Sequence, residues 1–297
     1  VNVNSCSQIL LGAGPPASEI EFRLAGGLQP LILVPAVVNG VGPLPFILDT
    51  GAGPCLLAPA LARRAGIEIT GREEAAGAGG PMAIELGTAG TVTLASQEVS
   101  NVPVAVTDEL ARIGQAIGVA VEGGLGFGFL RHFRLTIDYG RRRLSLERPG
   151  EGAGPLRAGE VVFRLAADEK PLVLVPVRMA GEGPFSFAVD TGASTTVVSP
   201  ELARQLGIRG ARVAKVTGGG GRLSGLSGRT GPVGVGSAEV EEMDVVVGPF
   251  LTPLSEVVGT KLDGILGYNF LRRFRVTLDY PSARLGLMPV EGPSSER

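Results

Sequence analysis

Two short strings hold the residues of this chain that could do chemistry, "FILDTGAGPCLL" from Phe46 and "FAVDTGASTTVV" from Phe187. Each sets an aspartate, Asp49 or Asp190, directly behind an apolar strand and follows it with Thr50-Gly51 or Thr191-Gly192. A single Asp in a turn ordinarily hydrogen-bonds only its own backbone; a second copy in the same setting argues for a shared task. Two carboxyl groups brought to about 3 Å in a poorly solvated site cannot both ionise, so they share one proton over a broad acidic range. Such a pair can take a proton from water while giving one to a carbonyl oxygen. That is general acid-base hydrolysis of an amide, with no covalent intermediate. Gly51 and Gly192 would let the backbone turn sharply and bring its N–H groups to the carboxylate. Thr50 and Thr191 offer hydroxyls that could hydrogen-bond across an interface and hold the pair in register.

The elements that position these residues are also written twice. Asp49 and Asp190 lie 141 positions apart. At the same offset "LILVP" from Leu31 falls on "LVLVP" from Leu172, Gly77 to Gly80 on Gly218 to Gly221, and "LGFGFLRHFRLTIDY" from Leu125 on "LGYNFLRRFRVTLDY" from Leu266. A unit this long is a lobe, since solenoid repeats run to about 20–50 residues. The expected organisation is an N-terminal arm over 1–20, a first lobe over 21–149, a Gly/Pro-rich linker over 150–160, a second lobe over 161–291 and a tail over 292–297. Pseudo-two-fold symmetry would let homologous residues meet at the axis. In each copy two apolar strands joined through Gly-Pro lead to the Asp. A short helix follows, well signalled by Ser199-Pro200-Glu201 and less so at Ala58-Pro59. One or two short helices per lobe are expected in all.

Composition narrows the classes. Of 297 residues, 44% are hydrophobic and 19% charged, which suits a globular chain with a sizeable core. The 46 Gly and 22 Pro punctuate short Val-, Leu- and Ile-rich runs, the pattern of an all-β fold with a few short helices. A formal net charge of -2 offers no overall basic field, so nucleic acid is not expected as a partner. No apolar run reaches the roughly 18 residues of a membrane span. The one histidine, His132, has Arg273 as its repeat partner and reads as a surface residue, which removes His-based triads and His-rich metal sites. "GGLGFG" from Gly123 lacks the spacing and the lysine of a phosphate loop. Cys6 and Cys55 either form one disulfide that ties down the arm or remain one exposed and one buried thiol. The chain begins with Val, so a preceding segment, such as a signal peptide, is expected to have been removed or left off.

The paired apolar-apolar-Asp-Thr-Gly-Ala motifs, each followed in its lobe by Leu-Gly before a short helix, resemble the pepsin/retropepsin clan of aspartic proteases. The chain resembles bacterial retropepsin-like proteins, here in a tandem-duplicated single-chain form. "ILGYNFL" from Ile265 is similar to the Gly-Arg-Asn helix of retropepsins, with Tyr268 for Arg and Asn269 kept; "GLGFGFL" from Gly124 is looser. The resemblance implies two retropepsin-like β-barrel lobes related by a pseudo-two-fold, a catalytic dyad of Asp49 and Asp190, and an interlocked pair of Thr50 and Thr191 with Gly51 and Gly192 in support. It further implies that the hairpins near Gly77, Gly79 and Gly80 and near Gly218, Gly219 and Gly220 are flaps over a peptide. The implied partner is a polypeptide, with no cofactor and no metal. The expected protein is a monomer, bacterial and periplasmic or otherwise extracytoplasmic. The alternative is a catalytically inactive or latent peptide-binding module on the same fold, with residues 1–20 as a possible pro-segment.

Two departures carry expectations. Gly53-Pro54-Cys55 faces Ser194-Thr195-Thr196 in the repeat, which suggests a first lobe less rigid behind its Asp. Ala52 and Ala193 stand where pepsin-like enzymes carry a hydroxyl residue, and a carboxylate that loses a donor has a raised pKa. The expected activity optimum is therefore mildly acidic, at roughly pH 4–6. A pH–rate profile checks this, and a maximum below about pH 3 would refute it.

Overall fold

Gly and Pro break the apolar runs into strands too short to stand alone, so each lobe buries them by curling a sheet around a core. The computed structural model describes residues 18–27, 30–77, 79–148, 156–167, 171–210, 212–218 and 221–290, and the architecture is mostly β. In the first lobe, strand Leu31–Val38 pairs antiparallel with Val41–Leu48, which runs straight to Asp49. The chain then forms Cys55–Leu57, and Gly123–Leu125 returns to insert between the two, parallel to one and antiparallel to the other. The second lobe repeats this with Val173–Met179, Glu182–Val189, Val197–Val198 and Gly264–Leu266. Gly123 and Gly264 allow the insertion, because a side chain at either would collide with the ring of Phe46 or Phe187.

Three helices in the first lobe, α1 (Pro59–Arg64), α2 (Glu109–Ile117) and α3 (Phe127–Leu130), recur in the second as α4 (Pro200–Gln205), α5 (Leu251–Val258) and α6 (Tyr268–Leu271). That exceeds the one or two expected per lobe. The Ser199 hydroxyl accepts from the Leu202 amide at 3.1 Å and caps α4, whereas Ala58 has no side chain with which to cap α1. Helices α2 and α5 cover the sheet face opposite the barrel core. Leu110 packs with Leu33, Ile47 and Val121, and Leu251 with Leu174, Ala188 and Ile265. Both helices end on a left-handed glycine, Gly118 or Gly259.

The lobes are joined by a six-stranded sheet in the order Ser18–Glu21, Arg143–Glu147, Arg134–Asp138, Phe274–Asp279, Arg284–Pro289, Glu160–Val162. At its centre Thr136 faces Thr277, its own repeat partner, with the hydroxyls 3.2 Å apart. The pseudo-two-fold axis passes between them. Strand Ser18–Glu21 spans the expected boundary between arm and first lobe, and it forms one edge of this sheet as Glu160–Val162 forms the other.

Where the copies differ, the sequence supplies a local reason. The long strand Gly80–Leu94 has two shorter counterparts in the second lobe, Gly221–Thr230 and Val233–Val235, with Pro232 between them in the place of Thr91; proline fixes its own φ and has no N–H to donate. The Thr91 amide donates to the Asn39 side chain at 2.9 Å, and Ala180 replaces Asn39 where that donor is gone. Behind the second Asp, the Asn269 carboxamide accepts from the Thr196 amide at 2.8 Å and donates to the Asp244 carbonyl at 2.7 Å. Its counterpart Gly128 has no side chain, so this brace belongs to lobe two alone. Removing it strands a donor and an acceptor. Asn269→Ala is expected to lower stability by about 1–2 kcal/mol in a denaturant titration, and a change near zero would show that the brace is idle.

Candidate active site

The inserted strand holds each aspartate from behind. The Asp49 amide donates to the Leu125 carbonyl at 3.0 Å, and the Asp190 amide to that of Leu266 at 3.1 Å. Each carboxylate then accepts from the glycine two residues on, Gly51 to Asp49 Oδ1 at 3.0 Å and Gly192 to Asp190 Oδ1 at 2.7 Å. Alternation along the strands turns Phe46 and Leu48 into the barrel core and leaves Ile47 and Asp49 on the other face. The aspartates therefore point out of their own lobes and toward one another. Their carboxyl groups meet and hydrogen-bond, and both remain partly exposed.

The threonines interlock across the seam. The Thr50 amide donates to Thr191 Oγ1 at 3.1 Å, and the Thr191 amide to Thr50 Oγ1 at 3.0 Å. Each hydroxyl passes its proton into the opposite lobe, Thr50 to the Val189 carbonyl at 2.9 Å and Thr191 to that of Leu48 at 2.7 Å. At 1% and 2% exposure the four bonds are shielded from water. The glycines serve a purpose the sequence did not disclose. A Cβ on Gly51 would lie 2.7 Å from Cγ of Asp190, and one on Gly192 would lie 2.7 Å from Oδ1 of Asp49. Each glycine thus clears room for the opposite lobe's carboxyl group, and neither adopts the left-handed backbone a sharp turn would need.

Contact and burial set the charge of the pair. Burial raises the Asp49 carboxyl above its ordinary range, while the Gly51 and Ala52 amides pull the other way. Asp190 is pushed up to about 8, first by burial and then by the charge of Asp49. Carboxyl groups in such contact share one proton over a broad acidic range, because they cannot readily both ionise. Beneath the dyad lies an aromatic seam that sequence reasoning missed. Tyr139 packs edge-on to Tyr268 at 5.5 Å between ring centres, and Tyr280 packs on Phe127 at 5.8 Å, each contact crossing the lobes. Burial comes first, then neighbouring charge, in holding both Tyr139 and Tyr280 hydroxyls protonated far above their usual range. Their shared place after Ile137-Asp138 and Leu278-Asp279 in the repeat was the available signal.

The asymmetry behind the aspartates is chemically matched. Cys55 occupies the place of Thr196, and its sulfur takes the Gly126 amide as Thr196 Oγ1 takes that of Gly267 at 3.2 Å. The Cys55 thiol is buried and free, its pKa pushed up to about 11 by that burial, so it is an inert packing group. Cys6 lies outside the described residues. His132 is half-buried at the lobe surface, beside Arg131.

Gly77 and Gly80 close one hairpin, with Gly79 in its turn. Gly218 pairs with Gly221 to close the second, while Gly219 and Gly220 lie outside the described residues. The arm Ile69–Gly77 of the first hairpin touches α5, and the arm Arg212–Gly218 of the second touches α2, so each hairpin reaches a helix of the opposite lobe. No cluster of His, Cys, Asp and Glu suited to a metal occurs among the described residues. No helix among them is long and apolar enough to cross a membrane.

Two lobes, each presenting Asp-Thr-Gly at the same seam, define a retropepsin-like architecture. The aspartyl protease family matches the chain twice, over residues 34–129 and 175–270, the two matches displaced by the same offset that relates the aspartates. The chain belongs to that family. Comparison with curated proteins gives no match.

A shared proton has a consequence for stability. The folded pair keeps its proton to a higher pH than unfolded carboxyl groups do, so the folded state binds more protons from the ordinary carboxyl range up to about pH 8. Stability must therefore fall as pH rises through that window. Asp190→Asn removes the loss. Thermal unfolding should show the variant gaining on wild type between about pH 5 and about pH 8, and a constant difference would mean the pair is unperturbed.

Proposed function

We propose that the chain is a single-chain aspartic endopeptidase, with Asp49 and Asp190 as the catalytic dyad. The observation that carries this reading is a pair of acids from different lobes, in contact, partly exposed and placed to share one proton. Water held between them would lose a proton to the ionised carboxylate while the protonated partner donates to the scissile carbonyl oxygen. As the C–N bond breaks, the proton taken from water goes to the leaving amine and a hydroxyl of the tetrahedral diol returns its proton to the other aspartate, so the dyad again holds one proton. Thr50, Thr191, Gly51 and Gly192 are positioning residues, since a misplacement of about 1 Å can cost about a hundredfold in rate. An extended peptide would lie between the dyad and the two glycine-tipped hairpins, bound through strand-like backbone hydrogen bonds, with the hairpins as flaps.

Because one chain supplies both halves of the site, a monomer suffices. An extracytoplasmic, bacterial setting is supported by the likeness to bacterial retropepsin-like proteins and by an Arg-rich, Lys-poor composition.

The test is cleavage of a denatured-protein library from about pH 3 to about pH 7, with and without pepstatin, comparing wild type with Asp190→Asn. Loss of the dyad's acid-base chemistry should slow cleavage by at least about 10²–10⁴-fold while peptide binding survives. Folded wild type that binds peptides and cleaves none at any pH would identify a binding module instead.

A further inference from the structure

Internal duplication gives every surface feature a control, because what the fold requires at one end it requires at the other. The inner face of the six-stranded sheet is buried, with Leu135, Ile137, Val276 and Leu278 in the main core, and the outer face is charged. Across one end of that outer face the register sets Glu21, Arg143, Asp138, Arg275 and Met288 side by side. Just beyond this row stand Arg141 and Arg142 at a hairpin tip and Arg272 and Arg273 after α6. Val290 ties the two groups together. Its amide donates to the Arg273 carbonyl at 3.1 Å, and a Cβ on Gly140 would lie 3.1 Å from its Cγ1. The Arg272 guanidinium sits 5.7 Å over the ring of Tyr268, which itself packs on Tyr139.

Six arginines, Arg141, Arg142, Arg143, Arg272, Arg273 and Arg275, thus gather at one end of the sheet, and all are exposed. Among the described residues none of them forms an ion pair; the acids beside them are Glu21 and Asp138 in the row and Glu19, the repeat partner of Glu160, two residues before Glu21 on the same strand.

The two-fold-related end is built differently. There Arg134 pairs with Glu160 at 3.6 Å and with Asp279 at 3.7 Å, and Arg284 pairs with Glu160 at 3.7 Å. Ser282 and Ala283 take the places of Arg141 and Arg142 at the tip, and His132 takes that of Arg273. Burial and the charges of Arg131 and Arg148 hold the His132 pKa below its usual range, so it adds no charge at neutral pH. Among the described residues, one end pairs Arg134 and Arg284 with Glu160 and Asp279, while at the other Glu19, Glu21 and Asp138 stand beside six arginines without an ion pair, so the positive excess is larger there on the same backbone. The fold therefore does not need those arginines, and their mutual repulsion works against it.

Guanidinium forks match phosphate oxygens, and a phosphate-lined plane can meet several at once. The aromatic ring among them, Tyr268, is half-buried, with Arg272 over it and Tyr139 edge-on to it, and is not free to stack a base as single-stranded nucleic acid would require. The large apolar side chain that is exposed in the row is Met288, at 65%, suited to dip into a lipid interface. We propose that this end of the six-stranded sheet docks the protein peripherally on a membrane surface rich in anionic phospholipid. The row lies on the outer face of the sheet, whose inner face packs into the core.

The test is co-sedimentation of the full chain with vesicles of phosphatidylcholine alone or with about a third phosphatidylglycerol. An Asp49→Asn/Asp190→Asn background keeps proteolysis out of the readout. Binding is expected to the anionic vesicles only, with release at about 0.5 M salt. Arg141→Ser/Arg142→Ala, which installs the second lobe's own residues, combined with Arg272→Ser and Arg273→Ser, should cut partitioning at least about tenfold. Arg131→Ser at the opposite end should leave it unchanged. No binding to anionic vesicles, or equal loss from Arg131→Ser, would overturn the proposal. So would salt-sensitive binding to single-stranded DNA or polyglutamate with vesicles untouched, which would name another class of partner.

Discussion

Two carboxyl groups that would repel each other when ionised are held in contact, and the rest of the molecule is arranged around keeping them there. The restraint is the Thr50–Thr191 lock, in which two amides and two hydroxyls form four bonds across the seam. Bonds of this kind contribute about 0.5–1.5 kcal/mol each, and their burial excludes the water that would compete for them. The glycines remove the steric obstacle, since any side chain at Gly51 or Gly192 would occupy the space of the opposite carboxyl group. The remaining repulsion is relieved by protonation, so the geometry that brings the acids together also sets their charge at one proton for two groups.

That arrangement requires the two lobes to present equivalent atoms at one axis. The axis is fixed twice, once at the threonine lock and once at the Thr136–Thr277 pair in the shared sheet. Between these points the aromatic contacts Tyr139–Tyr268 and Tyr280–Phe127 fill the seam. Within this frame the copies diverge wherever a local substitution keeps the same bond or removes both partners. Cys55 replaces Thr196 as the acceptor of a glycine amide, and Ala180 replaces Asn39 where Pro232 has removed the donor. The brace at Asn269 has no counterpart in lobe one, and it ties down the loop behind Asp190 alone.

Outside the seam symmetry is no longer enforced, and the surface shows it. One end of the shared sheet satisfies its arginines with Glu160 and Asp279, while the other leaves six exposed. A chain with a formal net charge of -2 can thus carry a strongly basic pole, because net charge records the sum and not its distribution.

The amino-acid sequence by itself determined the duplication, the all-β class, the strand that leads to each Asp, the helix starts at Pro59 and Pro200 and the pairing of Asp49 with Asp190 as chemical candidates. These are legible because they are local, written in periodicity, turn residues and a repeat of constant offset. The helices α2 and α5 were less so, since eight or nine residues give too few turns for a periodic signal to stand out beside apolar strands. Only the tertiary structure decided why Gly51 and Gly192 must be glycine, that Asn269 spans two segments, that Thr136 meets Thr277 and which arginines share one end of a sheet. Each of those depends on the distance between residues far apart in the chain, and that distance is set by how the two lobes pack.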